Sequence, residues 1–238
     1  MANSRTIARR DRLIVALDVP SAEDARALVA KLGDEVTFYK LGLELFMAGG
    51  YFELVDWLVA RGKRVFVDLK FFDVPETVRS AVKALRGRGI AFATVHGNQK
   101  MMEAAAAEKG EVKILAVTAL TSLDRGDLDD LGFACDVDRL VLSRARRALE
   151  AGCDGVISSG LEAPLLRREL GDRILVVTPG IRPVENRPAD DQKRTVDVAQ
   201  AFANGADYIV VGRPIRQAPD PAAAAAAIQA TIAGIFPG

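Results

Sequence analysis

The 238-residue sequence is short of several things, and each shortage removes a class of function. Its two cysteines, Cys135 and Cys153, are far apart and unclustered, which excludes a disulfide scaffold and fits a reducing compartment. Its single histidine, His96, cannot supply the two imidazoles of a histidine-ligated zinc site. No apolar run approaches the roughly 18 residues needed to cross a bilayer, and the N-terminus lacks the apolar stretch of a secretory signal. The expectation is a cytoplasmic protein with no membrane partner. There is no excess of either charge: 32 Lys+Arg interleave with 32 Asp+Glu, and the basic start from Arg5 to Arg12 is short. A nucleic-acid binder would carry a strong basic bias, so no nucleic acid is expected as a partner. No G-x-G-x-x-G follows the first apolar run, where the turn is Asp18-Val19-Pro20-Ser21, so no dinucleotide fingerprint is present.

What is present is a core. Half of the residues are hydrophobic, and a chain of this length forms one barrel-sized domain or two small ones. Eight short, β-branched apolar runs can be read at 13–17, 36–41, 64–69, 91–95, 113–117, 155–157, 174–177 and 208–211. Helical periodicity fills the spaces between them. Ser21-Ala22-Glu23-Asp24 has capping-box character, Pro75 suits a first helical turn, and Gly33, Gly62, Gly89, Gly110, Gly152 and Gly205 fall where helices should stop. The alanine run at 222–227 follows Asp220-Pro221 and reads as a last capped helix. Strand then helix, eight times over roughly 200 residues, predicts an α/β fold, a single-domain (β/α)8 TIM barrel over residues 1–238. A doubly wound open sheet is the alternative.

A barrel of this kind carries its site at the C-terminal ends of its strands, and the polar residues there form a full ring. In chain order they are Asp18, Lys40, Asp68 with Lys70, His96, Thr118 with Thr121, Ser158, Thr178 with Gly180 and Arg182, and Gly212 with Arg213. The most informative stretch is Asp68-Leu69-Lys70-Phe71-Phe72-Asp73-Val74, which ends the apolar run Val65-Phe66-Val67. Alternation along a strand sends Asp68 and Lys70 to one side. Lys40 closes the neighbouring run and would join them. An ordinary ion pair on a sheet rim uses the same residues, but charge at the end of a doubly buried strand is costly unless partnered or used.

Four groups of alternating sign, Lys40, Asp68, Lys70 and Asp73, keep one another ionised, which suits a lysine that stabilises a carbanion and protonates it. A Schiff-base lysine would first have to lose its proton. Asp73 lies past the strand, before the Pro75 helix, so it is expected to point away from its own pocket and toward a partner subunit. At the other end of the ring, Thr178-Pro179-Gly180-Ile181-Arg182 and Val211-Gly212-Arg213-Pro214 combine glycine with arginine after strands seven and eight, the usual phosphate position of this fold. The same glycines would also serve as plain tight turns. Residues 183–192 lack periodicity and read either as a loop that closes over substrate, with Gln192 or Arg182 as latch, or as a solvated surface loop.

These motifs in this order resemble the orotidine 5'-phosphate decarboxylases, in their bacterial form, over nearly the whole chain. The matching stretches are Ala16-Leu17-Asp18, Tyr39-Lys40-Leu41-Gly42-Leu43-Glu44, Asp68 through Thr77, Thr118-Ala119-Leu120-Thr121-Ser122, Thr178 through Pro183, Asp191-Gln192 and Val211-Gly212-Arg213-Pro214-Ile215. The resemblance implies conversion of orotidine 5'-monophosphate to UMP, with no metal and no organic cofactor. It implies that Lys70 protonates C6 as carbon dioxide leaves, that Asp68 stands near the departing carboxylate, and that Lys40 and Asp73 complete the charge network. Asp73 and Thr77 would come from the other subunit of a homodimer. Asp18 and Lys40 would bind the ribose hydroxyls, Thr121 with Ser122 would face the substrate, and Arg182, Gln192, Gly212 and Arg213 would hold the phosphate.

Two departures stand out. Phe72 replaces the histidine usual in bacterial members, and Gly97-Asn98-Gln99-Lys100 replaces a glycine-rich turn. His96 either lines the pocket or is a structural side chain at a strand end. Three rival readings share parts of the pattern. A metal-dependent enediolate relative shares D-x-K-x-x-D but places a carboxylate near the position of Lys40. The others are a Schiff-base aldolase using Lys70 and a silent phosphate-binding barrel.

Overall fold

The computed structural model describes residues 7–182 and 195–237. Eight parallel strands close into a barrel in sequence order: β1 (Leu13–Ala16), β2 (Phe38–Leu41), β3 (Arg64–Phe71), β4 (Ile90–His96), β5 (Lys113–Val117), β6 (Gly155–Ile157), β7 (Leu175–Thr178) and β8 (Tyr208–Val211). The closing pair is β1 with β8. The expected TIM barrel is therefore the observed fold, and the open sheet is not.

Helices alternate with the strands: α1 (Ala22–Leu32), α2 (Leu43–Ala48), α3 (Tyr51–Val59), α4 (Pro75–Lys83), α5 (Gln99–Ala107), α6 (Arg125–Asp130), α7 (Val137–Glu150), α8 (Ala163–Leu170), α9 (Val198–Ala203), α10 (Arg213–Arg216) and α11 (Pro221–Ile235). Their ends carry the expected chemistry. The Ser21 hydroxyl accepts from the Asp24 amide at 3.0 Å and starts α1, Pro75 opens α4, and the Asp220 carboxylate accepts from the Ala223 amide at 3.0 Å to cap α11. Gly89, just before β4, has φ +69°, and a Cβ there would meet Val59 Cγ1 at 2.7 Å. Both its conformation and its close packing require glycine.

Strand alternation divides the core in two. Leu13 and Val15 face the helices, while Ile14 and Ala16 face the barrel interior with Phe38, Phe66, Phe92 and Tyr208. Because both faces are buried, the strands read as mainly apolar runs, with charge confined largely to their ends. The Phe92 ring lies 5.1 Å from both Phe38 and Tyr208 and fills the middle of the barrel. Emptying such a position costs about 3–5 kcal/mol. Below these rings Arg64 stacks its guanidinium 4.5 Å from the Phe38 centroid and pairs with Asp11 at 2.7 Å. Above them, in the same inward parity, come Lys40, Asp68, Lys70 and Thr94. The aromatic layer is thus the floor on which the polar layer stands.

Candidate active site

The cleft above that floor has a volume of about 330 Å³, large enough for a small ligand. Asp18, from the turn after β1, and Lys40, from β2, meet at 3.0 Å, and Lys40 Nζ also lies 3.4 Å from Asp68 Oδ2. Lys70 Nζ approaches the same Asp68 oxygen at 2.9 Å. Alternation had Asp68 and Lys70 on one side, and they are, but not through regular strand. Lys70 has φ +49°, the one left-handed non-glycine backbone among the described residues.

The electrostatics follow from burial and pairing. Burial opposes the charge on Lys40, yet Asp68 and Asp18 outweigh it and raise its pKa above the ordinary lysine value. Burial likewise opposes the charge on Asp68, and Lys40, Lys70 and the hydrogen bond from Thr94 outweigh it and hold its pKa below the ordinary carboxylate value. Both groups are ionised at neutral pH. Together they form a chain of alternating charge, Asp18, Lys40, Asp68, Lys70, fixed before any ligand arrives.

Asp73 and Thr77 do not join this chain. Both are exposed, neither lines the cleft, and the Asp73 carboxylate accepts from its neighbour's amide, Val74 N, at 2.6 Å. The expectation that Asp73 points away from its own pocket agrees with this placement. Thr121 and Ser122 line the cleft beside Val117. Gly180, Arg182, Gly212 and Arg213 line it from the β7 and β8 side, with Arg182 only 7% exposed. Gln192 and the rest of 183–192 lie outside the described residues. His96 is not a lining residue; its ring packs 4.6 Å from Phe72, and burial with the nearby Arg144 lowers its pKa.

Two polar residues of the site escaped sequence reasoning. Arg216 lines the cleft one helical turn beyond Arg213, a spacing that i, i+3 periodicity could have revealed. Thr94 is fully buried beneath Asp68 and Lys70, where it reads in the sequence as one more β-branched strand residue. With Arg216, five cationic side chains face two carboxylates among the described lining residues, so positive charge predominates there.

The sequence profile of the orotidine 5'-phosphate decarboxylase / HUMPS family matches residues 11–228, more than nine-tenths of the chain. The chain belongs to the orotidine 5'-phosphate decarboxylase family. It is thereby an enzyme, a carboxy-lyase. The orotidine 5'-phosphate decarboxylase of Methylococcus capsulatus is 68% identical over 234 residues, covering 98% of this chain and 97% of that one. The Xanthomonas campestris decarboxylase is 54% identical over 228 residues, covering 95% and 93%. Among solved structures, the orotidine 5'-phosphate decarboxylase of Lactobacillus acidophilus superposes with a TM-score of 0.82 at 37% identity, covering 93% of this chain and 99% of that one.

Proposed function

We propose that the chain decarboxylates orotidine 5'-monophosphate to UMP and carbon dioxide, the last step of de novo UMP synthesis, without metal or organic cofactor. The observation that carries this reading is the Asp68 carboxylate held between two ammonium groups in a cleft whose β7 and β8 side supplies arginines. The phosphate sits with Gly180, Arg182, Gly212, Arg213 and Gln192, the ribose hydroxyls with Asp18 and Lys40, and the pyrimidine beside Thr121. Lys40 fills the gap between Asp18 and Asp68, the two carboxylates a divalent cation would use. An ammonium in that position opposes a metal-dependent enediolate route.

The C6 carboxylate would stand near Asp68, and their repulsion ends as it leaves as neutral carbon dioxide. The bonding pair stays on C6, takes a proton from Lys70 Nζ, and the resulting amine regains its proton from water. A localised vinylic carbanion requires stabilisation near the upper end of the roughly 8–23 kcal/mol that enzymes commonly supply. One ammonium does not provide that. Grip on the remote phosphate lowers the barrier by driving substrate into place, and charge fixed in advance supplies much of the rest.

The same reading makes the enzyme a cytoplasmic homodimer in which Asp73 and Thr77 enter the partner's cleft. In support, large apolar side chains stand exposed on the segments that follow β2 and β3: Met47 on α2 at 79%, and Phe72 at 61% and Val74 at 63% just before α4. Exposed apolar side chains on either side of a carboxylate that turns away from its own cleft suit an isologous interface.

The test of the chemistry is ultraviolet loss of orotidine 5'-phosphate in excess EDTA, with Lys70→Ala alongside. Rapid loss by the wild type and none by the variant is expected; loss that waits for added magnesium, or no loss, overturns the reading. Subunit mixing tests the shared site. Lys70→Ala and Asp73→Asn proteins, each inactive alone, should together regain about a quarter of wild-type activity, because half the dimers are mixed and one site in each is intact. No regain would place Asp73 outside the partner's site.

A further inference from the structure

β3 and β4 are out of step at the site. Val67 pairs with Ala93 and Phe71 with Val95, so Asp68, Leu69 and Lys70 together stand opposite one residue, Thr94. The surplus residues form a bulge, and Lys70 absorbs it with φ +49°, a conformation that costs an L-residue energy and persists only where its surroundings hold it. The bulge also leaves the Lys70 amide without a ladder partner. The Thr94 hydroxyl supplies one: Lys70 N–H donates to Thr94 Oγ1 at 2.9 Å, and Thr94 Oγ1–H donates onward to Asp68 Oδ1 at 2.9 Å. With Oδ1 engaged below, Asp68 turns Oδ2 to Lys70 and Lys40.

We propose that Thr94 is a positioning residue of the decarboxylase site: its hydroxyl ties the strained Lys70 backbone to the Asp68 carboxylate and so fixes where the proton donor stands. Thr94 is fully buried and does not line the cleft, so it acts through its two partners and not on substrate. A hydroxyl suits the task because it accepts and donates at once, and β-branching limits its rotation. Valine keeps the shape and loses both bonds; serine keeps both bonds.

The kinetic part of this inference rests on the proposed decarboxylation. With orotidine 5'-phosphate, Thr94→Val should lower kcat by about tenfold to a hundredfold while KM stays within about twofold. Thr94→Ser should recover most of the loss. A kcat for Thr94→Val within about twofold of wild type, or a serine variant as slow as the valine one, overturns the proposal. So does a parallel fall in kcat, rise in KM and drop in Tm in both variants, which marks a merely structural role. If the wild type fails to turn over orotidine 5'-phosphate, the decarboxylase reading fails and a crystal structure of Thr94→Val decides this one. Lys70 leaving the left-handed region, or its Nζ leaving Asp68, supports the tie; an unchanged Lys70 and Asp68 overturns it.

Discussion

Replacing Asp68 by asparagine removes one negative charge from between two positive ones and leaves the shape intact. Lys40 Nζ lies 3.4 Å from Asp68 Oδ2, a separation at which unit charges attract by about 5 kcal/mol at an effective dielectric of about 20. Lys70 is closer, at 2.9 Å, but its side chain is 34% exposed, so solvent screens much of that pair. The original desolvation of Asp68 is recovered in the variant, and Lys40 retains Asp18. The net loss at pH 7 should then resemble that of other broken buried pairs, about 3–4 kcal/mol. Its pH dependence is the sharper test. Asp68 has a folded pKa below its unfolded value, so its contribution is complete above the unfolded pKa and disappears as pH falls through the folded one. The gap between wild type and Asp68→Asn should stay constant from pH 7 to pH 5, then shrink by about 1.4 kcal/mol per pH unit below about pH 3.9. Urea unfolding followed by fluorescence of Trp57, the sole tryptophan, at one fixed protein concentration measures it. A variant as stable as the wild type at pH 7, or a gap that persists undiminished below pH 3.9, would refute the charge network as described.

Arg216→Gln should raise KM for orotidine 5'-phosphate by about tenfold and leave turnover of orotidine, which has no phosphate, unchanged, the loss expected of one charge-assisted phosphate contact; steady-state kinetics on both substrates would show an equal effect if Arg216 does not serve the phosphate. Gly155→Ala places a Cβ 2.6 Å from Leu115 Cδ2 and 2.7 Å from Leu175 Cβ, between β5 and β7. It should destabilise the barrel by about 1–3 kcal/mol, read as a fall in Tm by calorimetry. Met47→Glu puts a charge on an exposed apolar side chain and should shift sedimentation toward a monomer with loss of activity; a dimer of undiminished affinity would move the interface elsewhere.

The barrel was legible because parallel strands buried on both faces must be apolar throughout, and helix caps and glycine stops mark the intervals. The eight expected runs match the eight strands to within two residues at each end. Two departures reach two residues: β2 begins at Phe38 and not at Val36, and at the site itself β3 continues past the expected end at Leu69 to Phe71, because the bulge at Asp68 to Lys70 lets pairing with Val95 resume. Alternation therefore put Asp68 and Lys70 on one side for a reason that is only partly the right one. A regular strand would separate them by two pleats with no constraint on where the amine ends, whereas the bulge turns Lys70 through a left-handed backbone and brings its Nζ to 2.9 Å from Asp68. Lys40, Asp18, Arg182 and Arg213 were visible because a charge at the end of an apolar run is conspicuous. Thr94 was not, because a threonine inside Phe92-Ala93-Thr94-Val95 satisfies the strand pattern and its hydroxyl becomes meaningful only once β4 is set against the bulge in β3. Periodicity within a strand reports which face a residue takes; it carries no information about register between strands. In this enzyme the distance from the Lys70 amine to the Asp68 carboxylate is a consequence of register, so the residues that set that distance are the ones a single sequence leaves unmarked.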